Sequence, residues 1–123
     1  SLMEICNTLG STYYTWEEAM AAVEQLGNGW RKPTDAEWEA LCNLGSTWDD
    51  ERKGRWFGDN LLFPAAGYLK CADRCLVHVG TAGYYWSSLP RGISSLYAAD
   101  MDFDSTGALP AALTASLSAA SGM

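Results

Sequence analysis

Twice in the first half of the chain a threonine stands three positions ahead of a glutamate, at the head of an apolar stripe that closes on glycine. These are Thr15-Trp16-Glu17-Glu18 and Thr34-Asp35-Ala36-Glu37. In such a capping box the threonine hydroxyl accepts a hydrogen bond from one orphan backbone N–H of the first helical turn. The glutamate carboxylate reaches back to accept from the threonine N–H. Trp16, Ala19, Met20, Val23 and Leu26 follow the first box at helical spacing, and Gly27 stops the run. Trp38, Leu41 and Cys42 follow the second, and Gly45 stops it. Two short amphipathic helices are predicted, with their glutamates serving as caps and solvated faces rather than as a catalytic pair. From Trp48 the texture changes to short apolar runs such as Leu61-Leu62-Phe63-Pro64 and Gly83-Tyr84-Tyr85-Trp86, set among Gly, Asp and Asn. Those runs predict strands and turns. The order helix, helix, strands predicts an α+β fold: two short amphipathic helices packed on small antiparallel sheets with long loops. No linker interrupts it, so residues 1–123 are expected to form a single domain.

In Tyr97-Ala98-Ala99-Asp100-Met101-Asp102-Phe103-Asp104 the apolar period is two. Ala99, Met101 and Phe103 are expected to face the core, and Asp100, Asp102 and Asp104 to face away from it. Trp16, Met20, Val23, Leu26, Trp38, Leu41, Phe63, Trp86, Met101 and Phe103 are expected to share one core. Asp-x-Asp-x-Asp can open a calcium loop, but the glycine and glutamate such a loop needs at its sixth and twelfth positions are here Ser105 and Ala111. The aspartates therefore predict an acidic surface. Cys71, Cys75 and the single histidine, His78, form one metal-like cluster, whose fourth ligand could only be Cys6, Cys42 or a carboxylate. Disulfide, zinc site and plain thiols stay open for the four cysteines. No metal or cofactor is expected to be needed, and His78 is expected in a loop or half-buried.

Eight Lys and Arg against fifteen Asp and Glu give a formal charge of −7. That balance opposes a nucleic-acid partner, because neutralising phosphates takes a basic face. The uncharged stretch from Ser105 to Met123 is broken by Pro110 and crowded with Ser, Thr and Ala, so no membrane insertion is expected. No secretory leader is legible at the N-terminus.

Four segments in order resemble bacterial C-type-lectin-like domains: Tyr14 to Ala19; Gly29-Trp30-Arg31-Lys32-Pro33-Thr34-Asp35-Ala36-Glu37-Trp38-Glu39-Ala40-Leu41; Phe63-Pro64-Ala65-Ala66-Gly67-Tyr68; and Gly80 to Ser88 with Gly83-Tyr84-Tyr85-Trp86-Ser87-Ser88. The chain is most similar to the Fibrobacter-type major paralogous domain and to the variable proteins of diversity-generating retroelements. Formylglycine-generating enzymes share the segment from Arg31 to Glu39. Their redox cysteines lie toward the C-terminus, whereas no cysteine follows Cys75 here. The sugar-coordinating Glu-Pro-Asn or Gln-Pro-Asp loop of calcium-dependent lectins is also absent. The final strand by which relatives close the fold is not legible before Met123.

The resemblance gives meaning to a shift in alphabet. Residues 87–123 contain no Trp, Lys, Glu, Gln or Asn, while the first 86 residues hold all of them. Retroelement variable proteins are diversified at template adenines, and randomising both adenines of an AAC codon never yields Trp, Lys, Glu, Gln or Met. The resemblance therefore implies a scaffold at 1–86 and a variable ligand-binding region at 87–123. The implied function is a receptor or adhesion module of a phage or bacterium, surface-exposed or virion-associated, with a protein or cell-surface ligand and no catalysis. Expected ligand contacts are Leu89, Arg91, Ile93, Ser95, Tyr97, Asp100, Asp102, Asp104 and the tract Leu113, Thr114, Ala115, Ser116, Leu117 and Ser118. The alternatives are an adhesion domain without a diversified face and, further off, an oxidoreductase like the formylglycine-generating enzymes.

Overall fold

The computed structural model describes residues 2–4, 13–70, 73, 75–90, 97–109, 115–116 and 118–120. Strand β1 (Leu2–Glu4) precedes helices α1 (Trp16–Gln25) and α2 (Asp35–Asn43). Strands β2 (Ser46–Asp49), β3 (Gly54–Phe57), β4 (Leu61–Pro64), β5 (Tyr68–Lys70) and β6 (Leu76–Val77) follow. The chain continues through β7 (Ala82–Pro90), β8 (Tyr97–Asp104), β9 (Ala108–Leu109), β10 (Ala115–Ser116) and β11 (Ser118–Ala120). Among the described residues the fold is thus α+β, with two short helices and small, mainly antiparallel sheets. No helix among them is long and apolar enough to cross a membrane.

Both helices begin as expected. Thr15 and Thr34 are the N-caps, each with a complete capping box, and Gly27 and Gly45 follow the C-caps Leu26 and Leu44 with positive φ. The helices pack on opposite sides of a sheet ordered β10-β1-β8-β7, with β9 also paired to β8. Residues directly opposite each other in an antiparallel pair share a face. Tyr85 pairs with Met101 and Gly83 with Phe103, so these side chains lie together, against Trp38 of α2, Phe57 of β3 and Ala65. Trp86 pairs with Asp100 on the other face, where Trp86 packs with Ala19 of α1 and Leu69 of β5.

The expected single core is therefore two clusters with the sheet between them. Leu26, placed in the core from sequence, is 53% exposed at the end of α1. Ala99, Met101 and Phe103 are buried as their alternation predicted. Asp100 is the clear correction: expected to point outward, it is 0% exposed. The cause is the second layer of α1 and β5, which covers the sheet's other face at the level of Trp86.

Three tryptophans bind this sandwich to irregular backbone. The β7–β8 register shifts between Trp86 and Pro90. Around that break, Trp16 Nε1 donates to the Ser87 carbonyl (2.8 Å) and Trp38 Nε1 to the Trp86 carbonyl (3.3 Å). Trp86 Nε1 donates to the Tyr14 carbonyl (2.9 Å), and Ser88 N–H to the Pro33 carbonyl (2.9 Å). Both helix entries are thereby bonded to one stretch of β7, and the buried indole N–H groups are satisfied. The smaller sheet β2-β3-β4 is tied to the end of β8 by buried Arg55. Its Nε donates to Ser46 Oγ (2.7 Å) and its Nη1 to the Asp104 carbonyl (3.1 Å). At Gly83 an added methyl would land on the Phe103 ring, so the close approach of β7 requires glycine.

Part of the C-terminal tract is built into the sheets. Ala115–Ser116 forms β10, parallel to Leu2–Met3, and Ser118–Ala120 forms β11, antiparallel to Tyr68–Lys70. Residues of the tract expected to contact a ligand thus also supply two short strands to the sheets.

Candidate functional site

Along the acidic face of β8, cover is lost within five residues. Asp100 is buried, Asp102 is half-buried and Asp104 is exposed. Tyr84 stands opposite Asp102, and Leu109 of β9 flanks it on the other side. Together with Asp104 and Thr106 these side chains line a hollow of about 350 Å³. A second hollow of about 280 Å³, lined by His78, Thr81, Tyr84, Asp104 and Ser105, adjoins it through Tyr84 and Asp104.

Each wall is held by local chemistry. His78 has φ +61°, unusual for a residue with a Cβ, and its carbonyl accepts from Thr81 N–H, Thr81 Oγ1 and Ala82 N–H, each at 3.1 Å. That tight turn sets the imidazole Nδ1 2.9 Å from the Tyr84 hydroxyl, and the imidazole tautomer decides which of the two donates. Tyr68, which lines neither hollow, backs this aromatic pair, meeting Tyr84 edge-on at 5.0 Å and His78 at 5.8 Å. On the opposite side Asp104 Oδ1 accepts from Thr106 N–H (2.8 Å) and Thr106 Oγ1 (2.6 Å). These bonds hold the Asp104 carboxyl below the usual range. Burial, followed by the charge of Asp102, pushes Tyr84 up to about 12, so its phenol stays neutral at physiological pH. Asp102 Oδ1 is buried and has no hydrogen-bond partner among the described residues. A buried acceptor left open in this way is costly unless something donates to it. The cleft thus offers carboxylate acceptors facing an aromatic wall, an arrangement suited to a guanidinium or ammonium group.

Of the sequence-predicted contacts, the structure brings Asp102 and Asp104 to this cleft. Asp100 lies one pair deeper, under Trp86. Leu89 and Tyr97 lie at the far end of the β7–β8 pair, where Pro90 pairs with Ala98. Tyr97 is roughly 23 Å along the strand from Asp104 at about 3.3 Å per residue. At that end the order β10-β1-β8-β7 sets Ala115–Ser116, Tyr97–Ala98 and Leu89–Pro90 in one row across the sheet, while Ser118 sits apart beside Lys70. Arg91, Ile93, Ser95, Leu113, Thr114 and Leu117 lie outside the described residues.

Sequence reasoning missed Tyr68, His78 and Tyr84 as one group, because only the β5 register and the turn at Gly80 bring them together. Cys42 and Cys75 are free thiols, while Cys6 and Cys71 lie outside the described residues. Among the described residues no three His, Cys, Asp or Glu side chains converge on a point. No protein-family model, no curated protein and no solved structure matches the chain.

Proposed function

We propose that the chain is a binding module of C-type-lectin-like fold, not an enzyme, whose region 87–123 displays a surface diversified by a retroelement toward a protein or cell-surface ligand. The reading rests on the four ordered motifs and on the alphabet shift after Trp86. The observation that carries it is the half-buried Asp102 carboxylate, which lines an open hollow beside exposed Asp104 and opposite Tyr84 and whose Oδ1 has no hydrogen-bond partner among the described residues. Stiff strands hold this acceptor in place, and such a frame lets a surface vary without loosening the core. The row formed by residues 89–90, 97–98 and 115–116 adds a second stretch of the same region, brought together from segments distant in sequence.

The ligand group assigned to the cleft is a cationic side chain presented by a protein. Titration with an arginine-containing peptide, followed by amide NMR, is expected to shift Tyr84, Asp102 and Thr106, and Asp102→Ser is expected to abolish the shifts. Unchanged spectra at millimolar peptide would refute the cleft assignment. Diversification is tested at the locus. A nearby near-copy of the coding sequence that differs only at adenines, beside a reverse transcriptase gene, is expected, and its absence from the genome would remove that part of the reading.

A further inference from the structure

A third cavity shares no residue with the two acidic hollows and contains a lysine that has no ion-pair partner among the described residues. The cavity, of about 300 Å³, is walled by Val23, Leu41, Leu61 and Phe63. Lys32 and Trp38 also line it, and Leu26 and the 65%-exposed Trp30 stand on its exposed side. Lys32 is only 2% exposed, with its Nζ 5.8 Å from the centre of the Trp38 ring. No carboxylate among the described residues forms an ion pair with it. The neighbouring cation, Arg31, also lines the cavity, but its guanidinium is paired with the Glu37 carboxylate.

A buried ammonium is tolerated when it is paired and hydrogen-bonded, and an aromatic face supplies only part of that compensation. Desolvation lowers the Lys32 pKa to about 8, so at neutral pH most molecules still carry the charge inside the apolar wall. What the cavity lacks is an anion with an apolar body.

We propose that the Lys32 cavity binds a small hydrophobic carboxylic acid, its carboxylate on Lys32 Nζ and its aryl or alkyl body between Leu41, Leu61, Phe63 and Trp30. The volume sits at the low end for ligand pockets, which limits the occupant to a compact acid rather than a long-chain lipid. The exposed indole of Trp30 lies where it would cover the bound body.

The experiment uses the whole chain and three probes, 4-phenylbutyrate, indole-3-acetate and octanoate, with 4-phenylbutyramide as the neutral partner. Methyl and indole NMR signals of Val23, Leu41, Leu61 and Trp38 are followed during titration. At least one acid is expected to bind saturably, at least about tenfold tighter than the amide, the minimum expected of a charge-assisted bond in an apolar site. Lys32→Met, which keeps the apolar volume, is expected to remove that preference, whereas Arg52→Gln, which removes a surface cation paired with Asp49 away from the cavity, should retain it. Any of three results would overturn the proposal: no saturable shift with the three acids at 10 mM as a rough ceiling, equal affinity for acid and amide, or retention of the preference in Lys32→Met. Failure here leaves the acidic-cleft reading untouched, since that site is read through Tyr84 and Asp102.

Discussion

The two faces of β8 differ in how far their cover extends. On one face Ala99, Met101 and Phe103 are all buried, Met101 and Phe103 in the cluster that holds Trp38 of α2, Phe57 of β3 and Tyr85 of β7. On the face of Asp100, Asp102 and Asp104, α1 and β5 cover only the first residue. One strand therefore serves as frame on one side, and on the other passes from frame to surface within five residues. Polarity alone does not separate a structural aspartate from a displayed one. The layer above it does.

The contrast is broken most severely at Trp86, which is fully buried where both layers meet the sheet. Trp86→Ala is expected to cost about 3–5 kcal/mol in urea denaturation, the usual range for a large buried aromatic. A loss under about 1 kcal/mol would show that the second layer is not packed as described.

Lys32→Met probes the covered side in the opposite direction. The folded-state pKa of about 8 lies below the ordinary 10.5. The unfolded chain therefore binds more protons between these values, and the lysine's penalty on stability is full below pH 8 and fades as pH rises toward 10.5. The gap of about 2.5 units sets an upper bound of about 3 kcal/mol. Lys32→Met is expected to stabilise the fold by up to that amount at pH 7, with the difference from the parent shrinking by pH 10. A pH-independent difference would show that the ammonium is solvated.

Gly83→Ala sharpens the comparison from the fully covered face. Its methyl would meet the Phe103 ring, which is held between Phe57 and Tyr85, so a loss of about 1–3 kcal/mol is expected from overpacking. Parent-like stability would mean that the aromatic cluster has room to yield.

Much of this architecture is legible in sequence where the signal is local. A capping box is complete within four residues, so both helices, their caps and their stops could be read directly. The Ala99-Met101-Phe103 alternation likewise fixes one face of β8. Asp100 could not be read from its own strand, since an aspartate at alternating spacing has the same pattern whether its face is wet or covered. The missed signal lies in the partner strand. Tyr84-Tyr85-Trp86 is an uninterrupted apolar run, the mark of a strand buried on both faces. Lys32 is hidden from sequence for a similar reason: a lysine in a Gly- and Pro-containing linker has the composition of a solvated turn, and only the packing of Trp38 and the helix ends encloses it.

The point where the second layer stops divides the aspartate face of β8, and an aspartate-to-alanine series along the strand measures it directly. Urea denaturation of Asp100→Ala, Asp102→Ala and Asp104→Ala is expected to separate them. Asp100→Ala should lose about 2 kcal/mol, as expected when a buried, interacting carboxylate is removed. Asp104→Ala should lose about 1 kcal/mol or less with the Thr106 turn bonds. Asp102→Ala should lose nothing and gain up to about 1 kcal/mol, because it removes a buried oxygen that has no partner among the described residues. Equal losses at all three positions, or a larger loss at Asp102 than at Asp100, would contradict the division of this face into frame and display.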